Sequence, residues 1–199
     1  MNENSNIKYY KTIYNLTNNE SVTNEINVYE YEQESNIMTL GTSVITEYKK
    51  LAITTSNNIV NLTLEWKNMP KYRSYDVIAI RGENVNFNAS GILGTQFYNN
   101  NIINYTSQTN NTKVYSNGVG ISMNLVDNAS SYILELKASY TKTNANAKIY
   151  GSYQHAQANV TLAQSQKYTI SSNGYGSVVQ FDSDVKKYYD GMNGVSIGA

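Results

Sequence analysis

The chain has 199 residues, with 15 basic and 15 acidic side chains, one histidine, no cysteine and only two arginines, Arg73 and Arg81. The lack of cysteine excludes disulfides, thiolate metal sites and thiol nucleophiles. A neutral chain this poor in arginine also lacks the basic stripe that a phosphate backbone needs, so nucleic acid is not an expected partner. Thirty asparagines and 19 tyrosines stand where proton-moving and metal-binding groups would otherwise be. Such a composition favours turns, stacking and hydrogen bonding over catalysis.

Taken in chain order, residues 1–24 are polar and weakly patterned apart from Tyr9-Tyr10 and Ile13-Tyr14. They are expected to form an N-terminal arm or an edge strand, with 25–199 as a single domain, a size at which all-β sandwiches run undivided. The polar start Met1-Asn2-Glu3-Asn4-Ser5-Asn6 is not a signal peptide. The protein is expected to be extracellular or at the cell surface, with its leader already removed. Residues 1–36 carry six glutamates against Lys8 and Lys11, a mildly acidic end that reads as a solvated segment or, more sharply, as a docking segment.

Period-2 alternation dominates the rest. A strand is expected near 44–55, then Asn57-Asn58 as a turn. A second strand follows over 59–67, with Val60, Leu62, Leu64 and Trp66 on one face and Asn61, Thr63, Glu65 and Lys67 on the other, because successive side chains of a strand point to opposite sides. Asn68-Met69-Pro70-Lys71, with the only proline, reads as a loop. Val77-Ile78-Ala79-Ile80 is apolar throughout, which marks Tyr75–Ile80 as a central strand covered on both faces. It is the longest apolar run and far short of the ~20 residues of a membrane-spanning helix. Asn99-Asn100-Asn101 separates 95–98 from 102–106, and Asn110-Asn111, Asn117-Gly118, Asp127-Asn128, Asn144-Ala145-Asn146 and Asn173-Gly174 mark further turns, since asparagine tolerates the left-handed backbone and glycine adopts it freely. Between them Val119, Ile121, Met123 and Leu125 alternate with small polar residues, and so do Tyr132, Leu134, Leu136, Ala138 and Tyr140. Near the end, Ser183 is expected to cap a short helix through Val185-Lys186-Lys187-Tyr188-Tyr189, stopped by Gly191.

The spacing implies an all-β fold: one antiparallel, jelly-roll-like β-sandwich of about ten strands with at most one short C-terminal helix. A closed membrane barrel, as in a pore-forming protein, would also alternate, but its outward faces would be uniformly apolar.

For function, the leading expectation is a secreted or surface-displayed binding or structural module without catalytic turnover, whose partner is a protein, a glycan or a second copy of itself. Strand addition through the arm would make it self-assembling. A carbohydrate-binding version would use the aromatic and polar segment 66–76, with Tyr72, Arg73, Tyr75 and Asp76 as ligand-binding residues; Arg73 and Asp76 would alternatively pair with each other. Trp66 reads as core. Asp182, Asp184 and Asp190 would hold calcium if carbonyl oxygens completed the shell, although helix capping explains Asp182 and Asp184 equally well; no other cofactor is expected. A β-rich glycoside hydrolase would need two carboxylates from among Glu65, Asp76, Glu83, Asp127 and Glu135 in one cleft. His155 is the lone imidazole and has no nucleophile-elbow motif beside it. With Ser152, Tyr153 and Gln154 it reads as part of a buried hydrogen-bond cluster.

Overall fold

The structure, a computed structural model, describes residues 4–33, 43–172 and 176–199. Its strands are β1 (Asn4–Asn15), β2 (Glu20–Ile26), β3 (Val44–Ser56), β4 (Ile59–Trp66), β5 (Tyr75–Glu83), β6 (Val85–Phe87), β7 (Leu93–Tyr98), β8 (Asn101–Thr106), β9 (Thr112–Tyr115), β10 (Gly118–Asn124), β11 (Tyr132–Lys142), β12 (Lys148–Gln154), β13 (Tyr168–Ile170), β14 (Val179–Phe181) and β15 (Val195–Gly198). Three short helices, α1 (Val28–Gln33), α2 (Leu162–Ser165) and α3 (Ser183–Lys186), interrupt them.

The larger sheet runs β2-β1-β3-β4-β11-β7-β8, with β6 added on β11, and the smaller runs β15-β12-β5-β10-β9. Every pairing is antiparallel, and the chain passes back and forth between the sheets as a jelly-roll-like sandwich requires. Among the described residues neither sheet closes on itself. No helix among the described residues is long and apolar enough to cross a membrane.

Alternation positions the core. Val60, Leu62, Leu64 and Trp66 of β4, Leu51 and Ile53 of β3 and Leu134 and Leu136 of β11 meet Ile78, Ile80, Ile121, Met123, Ile149 and Tyr153 of the smaller sheet, nearly all without solvent contact. At roughly 25 cal/mol per Å² of apolar surface, each such side chain contributes about 1.5–3 kcal/mol. Gly151 is part of this fit, because a Cβ there would lie 2.6 Å from a methyl of Leu62.

The wholly apolar run in β5 is buried on both faces. Ile78 and Ile80 face the larger sheet, while Val77 and Ala79 face a second cluster with Tyr168, Val178, Val179 and Tyr189. That third layer is the segment after β12: α2, the β13–β14 hairpin and α3. It also covers Gly120 and Ser122 of β10, the positions alternation would leave to solvent. Gly120 has no alternative, since its Cβ would stand 2.3 Å from the Tyr168 hydroxyl.

Asparagine sets the turns. The seven non-glycine residues with positive φ among the described residues are Asn19, Asn57, Asn58, Asn84, Asn99, Asn100 and Asn128. Asn57-Asn58 (φ 52° and 58°) and Asn99-Asn100 (φ 45° and 65°) are consecutive left-handed pairs joining β3 to β4 and β7 to β8, the backbone of the two-residue hairpin turns that match strand twist. The Asn173-Gly174 turn lies outside the described residues.

Three expectations need correction. There are fifteen strands among the described residues, not about ten, because several are three- or four-residue pieces. Among the same residues there are three short α-helices, not at most one. Helix α1 starts where the Asn27 side chain accepts from the Glu30 amide at 2.9 Å, and α2 has a full capping box from Thr161 and Gln164. Helix α3 is a single turn with Asp182, not Ser183, at its N-cap. The N-terminal segment forms strands: β1 pairs with β3 along its whole length and puts Tyr10 into the core, and β2 is the edge strand of the larger sheet.

Candidate functional site

The register of the larger sheet aligns Tyr10 of β1, Lys49 of β3 and Trp66 of β4 in one row on its inner face. Across the sandwich, Asp76 begins the inward-facing row of β5, and Tyr153 and His155 follow the inward face of β12 and its extension. Asp190, just after α3, is pinned to this end of β12: its backbone N–H donates to the His155 carbonyl, and its Oδ1 accepts from the His155 N–H, both at 3.0 Å. Seven polar or aromatic side chains from six parts of the chain thus meet between the sheets, none more than about a twentieth exposed.

Their contacts form two linked parts. The Asp76 carboxylate accepts from the Ala156 N–H at 2.7 Å, from the Tyr153 hydroxyl, and from His155 Nδ1 at 3.0 Å. Lys49 Nζ lies 2.5 Å from Asp190 Oδ2, with both side chains fully buried, and 4.9 Å from the centre of the Trp66 ring. Trp66 joins the parts: its Nε1 donates to the Tyr153 hydroxyl at 3.2 Å, and its ring meets His155 edge-on at 4.8 Å. Burial works to lower the His155 pKa. The Asp76 carboxylate, by charge and hydrogen bond, and the Glu47 charge outweigh it and hold the ring above its ordinary 6.5. Burial, then the Asp76 charge, push the Tyr153 hydroxyl far above its usual range. The arrangement is buried and densely hydrogen-bonded, so its groups are closed to the surface and have one another as partners.

The other candidates are scattered. Tyr72 is partly exposed, its hydroxyl 3.0 Å from that of Tyr14, with Lys71 Nζ 3.7 Å from the Tyr14 ring centre. The Tyr14 hydrogen bond, against burial and with help from Lys71, lowers the Tyr72 pKa. Arg73 does not pair with Asp76: it donates to the Ala129 carbonyl at 3.1 Å and packs near the Tyr132 ring. Tyr75 packs against the third layer, and its carbonyl accepts from the Tyr189 hydroxyl at 2.9 Å. The four residues Tyr72, Arg73, Tyr75 and Asp76 therefore present no common face. Asp182, Asp184 and Asp190 do not converge either. Asp184 is exposed and bound to Lys167 at 2.7 Å, Asp190 is buried against Lys49, and no three acidic or histidine side chains among the described residues stand together as a metal site. Glu65 and Glu135 lie on the outer face of the larger sheet, each against a lysine. Glu83 accepts from Tyr150 at 2.9 Å, and Asp127 is exposed in a turn. Ser152, Tyr153, Gln154 and His155 are all buried and hydrogen-bonded, as their sequence context suggests.

Lys49 and Glu47 are the site residues that sequence reading passes over. The signal was there: in the alternation Glu47, Lys49, Leu51, Ile53 both charges fall on the inward face of β3. An inward charge asks for a buried partner.

No protein-family model matches the chain, and no curated protein matches it. Among solved structures, the chain is similar to the collagen-binding domain of a Staphylococcus aureus adhesin, at 11% identity and a TM-score of 0.40, over 71% of this chain and 89% of that one. It is similar to the collagen-binding subdomain of the Enterococcus faecalis surface protein ACE at 16% identity and a TM-score of 0.32, over 50% and 77%. A larger piece of the S. aureus collagen adhesin matches at 11% identity and a TM-score of 0.32, over 75% and 70%. All three TM-scores are too low to carry a contact or a ligand across to this chain.

Proposed function

We propose that this chain is a non-catalytic binding or structural module, secreted or displayed at the cell surface, whose partner is another protein. The observation that supports this is the placement of its reactive groups. His155, Asp76, Lys49 and Asp190 are sealed between the sheets, each at most 1% exposed except Asp190 at 4%, and the remaining carboxylate candidates are dispersed or salt-bridged at the surface.

The surface offers area instead. The outer face of the larger sheet carries Ile7, Ile59, Leu93, Ile102 and Ile133, each more than a third exposed. Phe97 stands between Ile102 and Ile133 in register. Exposed apolar side chains grouped on one sheet face suit a protein partner better than a sugar. The test is binding of the purified chain to immobilised extracellular proteins, collagen among them, with a glycan array alongside. The double substitution Ile102→Lys, Ile133→Lys should abolish protein binding while leaving the circular dichroism spectrum unchanged. Binding confined to glycans and lost in Tyr72→Ala would replace this reading with the carbohydrate one. Turnover of a glycoside substrate would overturn both.

A further inference from the structure

We infer that Lys49 and Asp190 condense to a side-chain amide, a covalent cross-link between β3 and the segment that follows α3. The motivating geometry is the contact of Lys49 Nζ with Asp190 Oδ2 at 2.5 Å, both side chains at zero exposure.

The surroundings fit an amide better than an ion pair. A buried ammonium has three protons to place, yet among the described residues Asp190 is the one oxygen partner of Lys49; its other neighbour is the face of Trp66. Two bare ions with so few partners are costly in a dry interior. An amide nitrogen has one proton to place, and the amide carbonyl needs a donor. Asp190 Oδ1 already has one, the His155 N–H at 3.0 Å. That N–H sits where the oxygen gains negative charge during attack, as oxyanion-binding donors do.

The step balances without a co-reactant. A proton passes from the ammonium of Lys49 to the carboxylate of Asp190, giving a neutral amine and a neutral acid. The Nζ lone pair attacks Cγ and forms the Cγ–Nζ bond. The Cγ–Oδ2 bond breaks, and the hydroxyl departs with a proton from the nitrogen as water. Nothing is oxidised or reduced. Fixing both groups in contact raises their effective concentration to roughly 10⁵–10⁸ M, and exclusion of water from the core suppresses the reverse hydrolysis.

The experiment is mass spectrometry of the full chain under denaturing conditions, followed by tryptic digestion. The expected result is an intact mass one water below that of the sequence and a branched peptide joining segment 12–50 to segment 188–199, with no cleavage after Lys49. Lys49→Arg should restore the missing water and remove the branched peptide. Cyclisation of Asp190 onto the Gly191 amide would also lose one water, but it would survive Lys49→Arg, open in mild alkali and give no branched peptide; that outcome overturns the inference. So does an intact wild-type mass equal to that of the sequence. Because the wild-type measurement decides on its own, a variant that fails to fold does not rescue the idea.

Discussion

Asp76→Ala should be among the most damaging single changes in this protein. The substitution leaves three buried donors facing an empty space: the Ala156 N–H, the Tyr153 hydroxyl and the His155 ring N–H. Each orphaned donor costs about 1–3 kcal/mol. His155 can lose its proton once the carboxylate is gone, which softens the total to about 4 kcal/mol, a large share of the ~5–15 kcal/mol that holds a domain together. Asp76→Asn keeps the shape and one acceptor oxygen and should lose about half as much, near 2 kcal/mol. Urea titration followed by the fluorescence of Trp66, the only tryptophan, reads both, since its ring touches His155. The pH dependence is a second test. Asp76 and Glu47 raise the His155 pKa in the folded state above 6.5, so this term stabilises the fold fully below that unfolded value and fades as pH rises through the folded one. The wild-type midpoint should therefore fall as pH is raised from 6.5, and Asp76→Asn should flatten that slope. A loss below about 1 kcal/mol for Asp76→Ala, or an unchanged slope in Asp76→Asn, would refute this account of the cluster.

Gly120→Ala places a methyl 2.3 Å from the Tyr168 hydroxyl and should cost about 1–3 kcal/mol, with proteolysis appearing first in segment 156–189 as the third layer lifts from β10. Asn58, at φ 58°, should accept glycine with a change of a few tenths of a kcal/mol, whereas Asn58→Val should lose about 1–2 kcal/mol; thermal midpoints of the pair decide this, and equal midpoints would remove the turn argument. If the Lys49–Asp190 amide forms, it closes a loop of 141 residues, and chain-entropy arithmetic gives about 5 kcal/mol of stabilisation. Lys49→Arg should then lower the urea midpoint by more than an exposed lysine such as Lys187 does, and equal midpoints would deny the link a stabilising role.

Local rules made much of this fold legible. The Asn57-Asn58 and Asn99-Asn100 turns follow from what an asparagine backbone tolerates, and the strand around Leu62 and Leu64 follows from a period of two. The doubly apolar run Val77–Ile80 demanded cover on both faces, but nothing local named what supplies it. The segment 156–189 does so through short pieces, three-residue strands and single-turn helices, which are too brief to leave a periodic trace. The cluster was hidden for a related reason. Asp76 looked like a ligand residue, Asp190 like a metal ligand and His155 like a lone structural imidazole. Their partnerships span 79 residues for His155 with Asp76 and 141 for Lys49 with Asp190. Only the tertiary pairing of β3, β5 and β12 sets them side by side.

The position of β11 has a consequence for how the chain reaches this state. The hairpins β1–β2, β3–β4 and β7–β8 can form as soon as their own residues are available. The larger sheet stays in two halves until β11 enters between β4 and β7, pairing Leu136 with Leu62 on one side and with Gly94 on the other. Before that, β4 and β7 each present an open edge together with an uncovered apolar face, the combination that recruits strands from other molecules. Joints of such long sequence separation close late, on the millisecond-to-second scale typical of non-local β folds. Refolding yield should therefore fall steeply with protein concentration, because the unfilled slot for β11 is a vacancy that any neighbouring chain can occupy.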